Sequence, residues 1–135
     1  VAKHIADQCQ QYTQYAGARP IGVALIIGGI DENGNSLFLT DPSGAYVPYN
    51  AVAIGAYSDK VTEFLKKEYK SEITLEEAKI LAVAAINLVS GDTSNSEQVK
   101  ICQIKSDTKR FEIVNKNQVT DLLRSATEKY HIEKK

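Results

Sequence analysis

Apolar and polar positions along this chain repeat with two different periods. Val1, Ile5, Ala6, Cys9 and Tyr12 recur at helical intervals, with Lys3, Asp7 and Gln10 between them, which predicts an amphipathic helix over residues 1–15. No capping residue stands in front of that helix, which points to sequence upstream. Ala16-Gly17-Ala18-Arg19-Pro20 ends it, because glycine and proline continue a helix poorly. The run from Ile21 to Ile30 is apolar without alternation, so the expectation is a strand covered on both faces and buried between layers. Its three glycines predict the close approach of another backbone or a large side chain.

Asp31-Glu32-Asn33-Gly34-Asn35 is a hairpin turn, with Asn-Gly its strongest local signal. Ser36 to Thr40 is the return strand. Asp41-Pro42-Ser43-Gly44 suits a type I turn, with proline at its first central position and glycine at its fourth. Two more short strands are expected near Tyr46–Tyr49 and Ala51–Ala56. A helix follows from about Ser58, with Val61, Phe64, Leu65 and Tyr69 on its inner stripe. Thr74 and Glu77 then form a capping box before a second helix, so apolar that most of its circumference should be covered, and Ser90-Gly91 closes it. Beyond a polar loop, Gln98–Lys105 and Arg110–Val114 form a last hairpin with Phe111 and Ile113 on one side. A final helix begins near Asn117 and aligns Val119, Leu122, Leu123 and Ala126. Grouped strands and grouped helices indicate an α+β fold, a helix–sheet–sheet–helix sandwich for which this chain supplies too few strands.

Composition narrows the function classes. Of 135 residues, 43% are hydrophobic and 24% charged, and the net charge is -1, which fits an ordinary globular chain and offers no basic excess for nucleic acid. No apolar run approaches the roughly 20 residues that a bilayer-spanning helix needs. Cys9 and Cys102 lie far apart with no metal spacing, and no secretory signal is visible, so a reducing cytoplasm is the expected setting and both cysteines read as packing residues.

Several segments, taken in order, resemble proteasome alpha-type subunits. Tyr12-Thr13-Gln14-Tyr15-Ala16-Gly17-Ala18-Arg19-Pro20-Ile21-Gly22-Val23 is similar to the family's Tyr-Thr-Gln…Arg-Pro-(apolar)-Gly-Val segment. Gly29-Ile30-Asp31, Asp41-Pro42-Ser43-Gly44 and Ala53-Ile54-Gly55 follow in the family's order, and Phe64–Tyr69 and Thr74–Ala78 match its next two helices. Ile21 stands where the family usually carries an aromatic residue. After Asp92 the resemblance is one of layout. It implies the C-terminal half of a single alpha-type domain over residues 1–135, with the N-terminal-nucleophile hydrolase sandwich. It also implies a non-catalytic place in a seven-membered alpha ring, with other alpha subunits, beta subunits and a regulatory or ATPase cap as partners. The location would be the cytoplasm, and the nucleus as well in a eukaryote. The gating tail, the first helix, the first sheet strands and the lysine that receives an activator's C-terminal carboxylate belong to the half this chain lacks. Tyr12, Gln14, Tyr15, Arg19, Pro20 and Gly22, with Asp41, Pro42, Ser43 and Gly44, are the family-motif positions, read as gate-proximal supports or turn anchors.

Candidate chemistry is sparse. An N-terminal-nucleophile hydrolase uses the side chain of its first residue with the α-amine as base, and Val1 offers no nucleophilic atom. The alternative is a related hydrolase, beta-type or bacterial, whose nucleophile lies in the missing half. A stand-alone binding domain would instead present fully covered sheets. His4 and His131, the only histidines, read as surface residues on two helices. Ser43 lacks the flanking glycines of a nucleophile elbow. Gly28-Gly29 precedes no lysine and no helix, so it is not a phosphate loop, and the acidic residues lack calcium-loop spacing. The expectation is therefore no catalytic residue, cofactor or metal in this chain. It also predicts exposed apolar surface and unpaired sheet edges, hence self-association when the chain is made alone.

Overall fold

The computed structural model describes Lys3, His4, Asp7, residues 23–90 and residues 97–132. These fall into two compact units, Val1–Ile54 and Gly55–Lys135. Lys3, His4 and Asp7 are helical and exposed, as the first pattern predicts.

In the first unit, β1 (Leu25–Asp31) and β2 (Gly34–Thr40) form an antiparallel hairpin in register from Leu25↔Thr40 to Asp31↔Gly34. The turn forms where Asn-Gly predicts it. The Asn33 N–H donates to Asp31 Oδ1 at 2.7 Å, and Gly34 takes φ +111°, which side-chain-bearing residues rarely adopt. A short β3 (Tyr46–Pro48) pairs with β2, and the sheet order is β1-β2-β3. The Tyr49 N–H still donates to Leu37 O at 2.9 Å, which continues the contact by one residue. Ala51–Ala56 is not a strand. Gly55 turns the backbone at φ +105° and its carbonyl accepts from the Ser58 N–H at 3.2 Å, so the segment bends toward the next helix instead of running along a sheet.

Register assigns the two faces, because directly opposed residues share a side and alternate residues switch. Ile27 and Phe38 lie on one face, Ile26, Leu39 and Val47 on the other. Both faces are apolar, as a doubly covered strand should be, yet neither is fully covered: Ile27, Phe38 and Leu39 are half-buried. Leu25 is 37% and Ile26 40% exposed, and among the described residues of this unit only Thr40 is buried. The burial expected of the 21–30 strand is thus not met over its described residues, 23–30, none of which is buried. The packing predicted for its glycines is also absent at Gly29, where an added Cβ would meet nothing within 4 Å, while at Gly28 it would touch Leu37 Cδ1 at 3.6 Å.

The second unit holds three helices and a hairpin. Helix α1 (Ser58–Glu68) buries Val61 and Leu65, and Phe64 packs edge-on against Tyr130 with ring centroids 5.5 Å apart. Helix α2 (Leu75–Asn87) opens with the predicted capping box. The Thr74 side chain accepts from the Glu77 N–H at 3.2 Å, and Glu77 Oε2 accepts from the Thr74 N–H at 2.9 Å. β4 (Cys102–Ile104) pairs antiparallel with β5 (Phe111–Ile113), and α3 (Lys116–Tyr130) starts from Asn115, whose side chain accepts from the Gln118 N–H. Val83, Ala84, Val99, Val114, Val119, Leu122, Leu123 and Ala126 form one buried cluster. Ala84 and Ala126 are fully buried, and their small side chains suit helices that pack closely. The four positions predicted for the last helix all lie in this core.

Candidate assembly surfaces

Of the motif positions, Asp41, Pro42, Ser43 and Gly44 are described; Tyr12, Gln14, Tyr15, Arg19, Pro20 and Gly22 lie outside the described residues, as does Cys9. The Asp41–Gly44 segment is the β2–β3 turn. The Gly44 N–H donates to Asp41 O at 3.1 Å, the β-turn bond, and Gly44 takes φ +87°, the left-handed conformation for which glycine is suited. Asp41 Oδ1 accepts from the Ser43 hydroxyl, the Ser43 N–H at 2.8 Å and the Ala45 N–H at 3.2 Å. Those donors, the Ser43 hydroxyl foremost, hold the Asp41 carboxyl below its ordinary range. All four residues thus serve the turn itself. The aspartate collects donors, the proline fixes φ, the serine supplies two donors and the glycine reverses the chain. The Ser43 hydroxyl donates to Asp41 and so helps to fix the turn.

The β4–β5 hairpin has two unlike faces. Ile101 and Val114 point toward the buried cluster and share their side with Gln103 and Glu112, which are hydrogen-bonded at 2.8 Å. The Gln103 amide, then Lys105 at 3.2 Å, keep the Glu112 carboxyl below its usual range. The opposite side carries Cys102, Ile104, Phe111 and Ile113. Phe111 is 63% and Ile113 73% exposed. Phe111 and Ile113 do share a side, as predicted, but it is the side away from the helices. Cys102 is exposed there, contrary to the packing role expected for it, because the alternation puts Ile101 and not Cys102 on the helix side.

Helix α2 also leaves apolar side chains open near its two ends. Leu75 and Ile86 are exposed, and so is Leu88 just beyond its end, so the covered circumference is less complete than its composition predicts. Tyr57, which precedes α1, sits in the left-handed region at φ 63° and is exposed, with Lys60 Nζ 6.0 Å from its ring centre. Nothing in the residue pattern marks Tyr57, since a bulky residue rarely takes that conformation. Among the described residues no group of three His, Cys, Asp or Glu side chains is arranged to hold a metal, and no helix is long and apolar enough to cross a membrane. His4 and His131 are both exposed.

These surfaces are turns and open apolar faces, the makings of contact with other polypeptide. A sequence profile described as proteasome subunit matches residues 1–104. The chain belongs to the proteasome subunit family. A proteasome subunit alpha of Archaeoglobus fulgidus is 39% identical over 129 residues, covering 96% of this chain and 52% of that relative. One from Methanocaldococcus jannaschii is 42% identical over 123 residues, 91% of this chain and 47% of the relative. One from Picrophilus torridus is 44% identical over 105 residues, 78% of this chain and 45% of the relative. This proteasome-family chain therefore spans about half the length of the curated relatives it matches. The resemblance read from the motifs is the one these relatives carry, and all three are alpha subunits.

Proposed function

We propose that this chain contributes to a structural, non-catalytic alpha-type subunit of a proteasome core, acting through assembly while beta-type subunits carry out peptide cleavage. The observation that supports this most strongly is the match of nearly the whole chain to proteins named proteasome subunit alpha. The geometry agrees with it. The motif residues Asp41, Pro42, Ser43 and Gly44 spend their polar groups on a turn, and the conspicuous surfaces are apolar sheet faces that call for covering polypeptide. In this reading the two-faced β1–β3 sheet and the outer face of β4–β5 belong to the two sheets of a helix–sheet–sheet–helix sandwich of the N-terminal-nucleophile hydrolase type. Residues 1–135 then form the C-terminal half of that domain. Tyr12, Gln14, Tyr15 and Arg19 support the gated end of a ring, the partners are other alpha subunits, beta subunits and a regulatory cap, and the setting is the cytoplasm.

Native mass spectrometry of the chain, alone and mixed with an archaeal proteasome beta subunit, tests the proposal when peptidase activity is followed in parallel. Ring-sized assemblies that contain this chain, with activity only when the beta subunit is present, are the expected result. Peptidase activity from the chain alone would overturn it.

A further inference from the structure

The tip of the β1–β2 hairpin joins two residues whose chemistry reaches beyond the turn. Asn33 is exposed there and is followed by Gly34. An asparagine side chain holds its amide carbon, Cγ, within reach of the next residue's backbone nitrogen, and closing that gap makes a five-membered imide. A side chain on the next residue shields the nitrogen, and glycine has none. The surroundings add no shield either, since even a Cβ built on Gly34 would meet nothing within 4 Å. The turn holds Asn33 by its backbone, through the N–H that donates to Asp31 Oδ1 at 2.7 Å. The Asn33 side-chain amide makes no hydrogen bond among the described residues and is free to swing toward Gly34. Asp31↔Gly34 is the last pair of the ladder, and an end pair opens more readily than an interior one, which releases the Gly34 N–H. No other asparagine of the chain precedes a glycine. Asn115 also spends its side-chain oxygen on the Gln118 N–H at 2.9 Å, and Asn87 lies in α2 with its Oδ1 buried.

We propose that Asn33 is a self-modification site, at which deamidation to isoaspartate loosens the β1–β2 hairpin. The Gly34 nitrogen attacks Asn33 Cγ, the new N–Cγ bond forms as the Cγ–Nδ2 bond breaks, and Nδ2 leaves as ammonia with the proton that Gly34 gives up. Water then adds to one of the two imide carbonyls. Opening at Cγ leaves an aspartate, and opening at the backbone carbonyl leaves an isoaspartate; nothing is oxidised or reduced. In the isoaspartyl product the main chain runs through the former side-chain methylene, so the turn is longer by one backbone atom. The Asp31↔Gly34 pair then loses its register, and register at a hairpin is set by its turn. Either product also adds a carboxylate beside those of Asp31 and Glu32, where like charges repel.

The test is to incubate the folded chain in warm, mildly alkaline buffer and to follow each asparagine by peptide mapping with mass spectrometry, the aspartyl and isoaspartyl peptides being separated by chromatography. Asn33 should convert at least about tenfold faster than Asn35 or Asn115, mainly to isoaspartate. The isoaspartyl chain, purified from the mixture, should exchange its Leu25–Asp31 amides at least about tenfold faster than the unmodified chain, with the amides of α2 and α3 unchanged. Asn33→Gln, whose longer side chain would have to close a six-membered ring, should stay unmodified over the same incubation and keep the parent's exchange. Conversion of Asn33 no faster than that of Asn35 or Asn115, aspartate as the dominant product, or an isoaspartyl chain with the parent's β1 exchange would each overturn the proposal. So would a loss of β1 protection in incubated Asn33→Gln equal to that in the parent, since the loosening would then come from elsewhere.

Discussion

Residues 55–135 and residues 23–54 hold similar kinds of apolar side chains and treat them oppositely. In the first region α2 and α3 close over one side of a hairpin, and eight residues form a cluster shielded from water, Val83, Ala84 and Ala126 completely. In the second, a sheet with apolar residues on both faces keeps a single buried residue among those described, Thr40. The difference is one of available layers. A helix buries one stripe and needs one neighbour; a sheet with two apolar faces needs a layer on each side. The helical region contains its own neighbour. Among the described residues of its own unit the sheet has no such layer, and that is why it reads as a surface for other polypeptide.

The largest effects should separate the two regions directly. Val83→Asp places a carboxylate in the sealed cluster and should destabilise the chain by more than about 3 kcal/mol, enough to abolish the cooperative helical melt followed by circular dichroism. Ile26→Asp makes the same kind of change at a residue already 40% exposed and should cost less than about 1 kcal/mol. Equal losses would mean that Ile26 is covered in solution, and the contrast between the regions would fail.

A second contrast lies within the helical region, between the two sides of its hairpin. Ile113→Ser, on the outer side, should change the melt of the chain alone by no more than about 0.5 kcal/mol. In mixtures with beta subunits it should reduce the assembled fraction about tenfold, roughly 1.4 kcal/mol of association. Val114→Ser, one residue along and facing the core, should do the reverse and destabilise the chain itself by about 2 kcal/mol. If Ile113→Ser assembled as well as the parent, the outer face would not be an interface.

Local signals carry much of this architecture, and long-range ones do not. The Asn-Gly hairpin, the Asp-Pro-Ser-Gly turn, the Thr74–Glu77 capping box and the Val119–Ala126 stripe are each decided within a few residues, and each is where the pattern places it. The apolar run at 21–30 reads as buried because a strand apolar on both sides calls for two covering layers; exposure depends on which layers are present, and periodicity does not report that. The strand expected at Ala51–Ala56 does not form for a similar reason: β-propensity needs a pairing partner, and here Gly55 diverts the backbone first. Cys102 and Ile101 are indistinguishable in sequence, since a two-sided strand does not say which side meets the helices. The motif turn is legible as a turn, and the donors that Asp41 gathers are those the turn needs.

Thr74→Ala offers a smaller and cleaner perturbation. It removes the hydroxyl that accepts from the Glu77 N–H, and it should lower stability by about 1 kcal/mol with no change at the β1–β2 hairpin. Thermal melts should show that loss, and exchange of the Leu25–Asp31 amides should stay as in the parent. A parallel change in β1 would show that the strand region draws stability from α2 and would undo the division drawn above.

The subtlest effect is acid sensitivity of the same cap. The Thr74 backbone N–H, then its hydroxyl, stabilise the ionised Glu77 carboxylate and lower its pKa below the ordinary glutamate value. A lowered folded-state pKa means the unfolded chain binds the proton more readily. The contribution is therefore complete above the unfolded value and is lost as pH falls through the folded one. Asp41 is shifted the same way by the Ser43 hydroxyl and the neighbouring N–H groups, so both regions should weaken on the acid side. Glu77→Gln keeps an acceptor for the Thr74 N–H but removes the titration. Melting temperatures followed from about pH 7 down to about pH 3 should fall less steeply for Glu77→Gln than for the parent. The Thr74→Ala variant should lie between them, because its backbone N–H still faces the carboxylate. Identical slopes for Glu77→Gln and the parent would mean that the capping box is open in solution. Helix α2 would then owe its start to the core residues behind it, Leu81, Val83 and Ala84, and not to its cap.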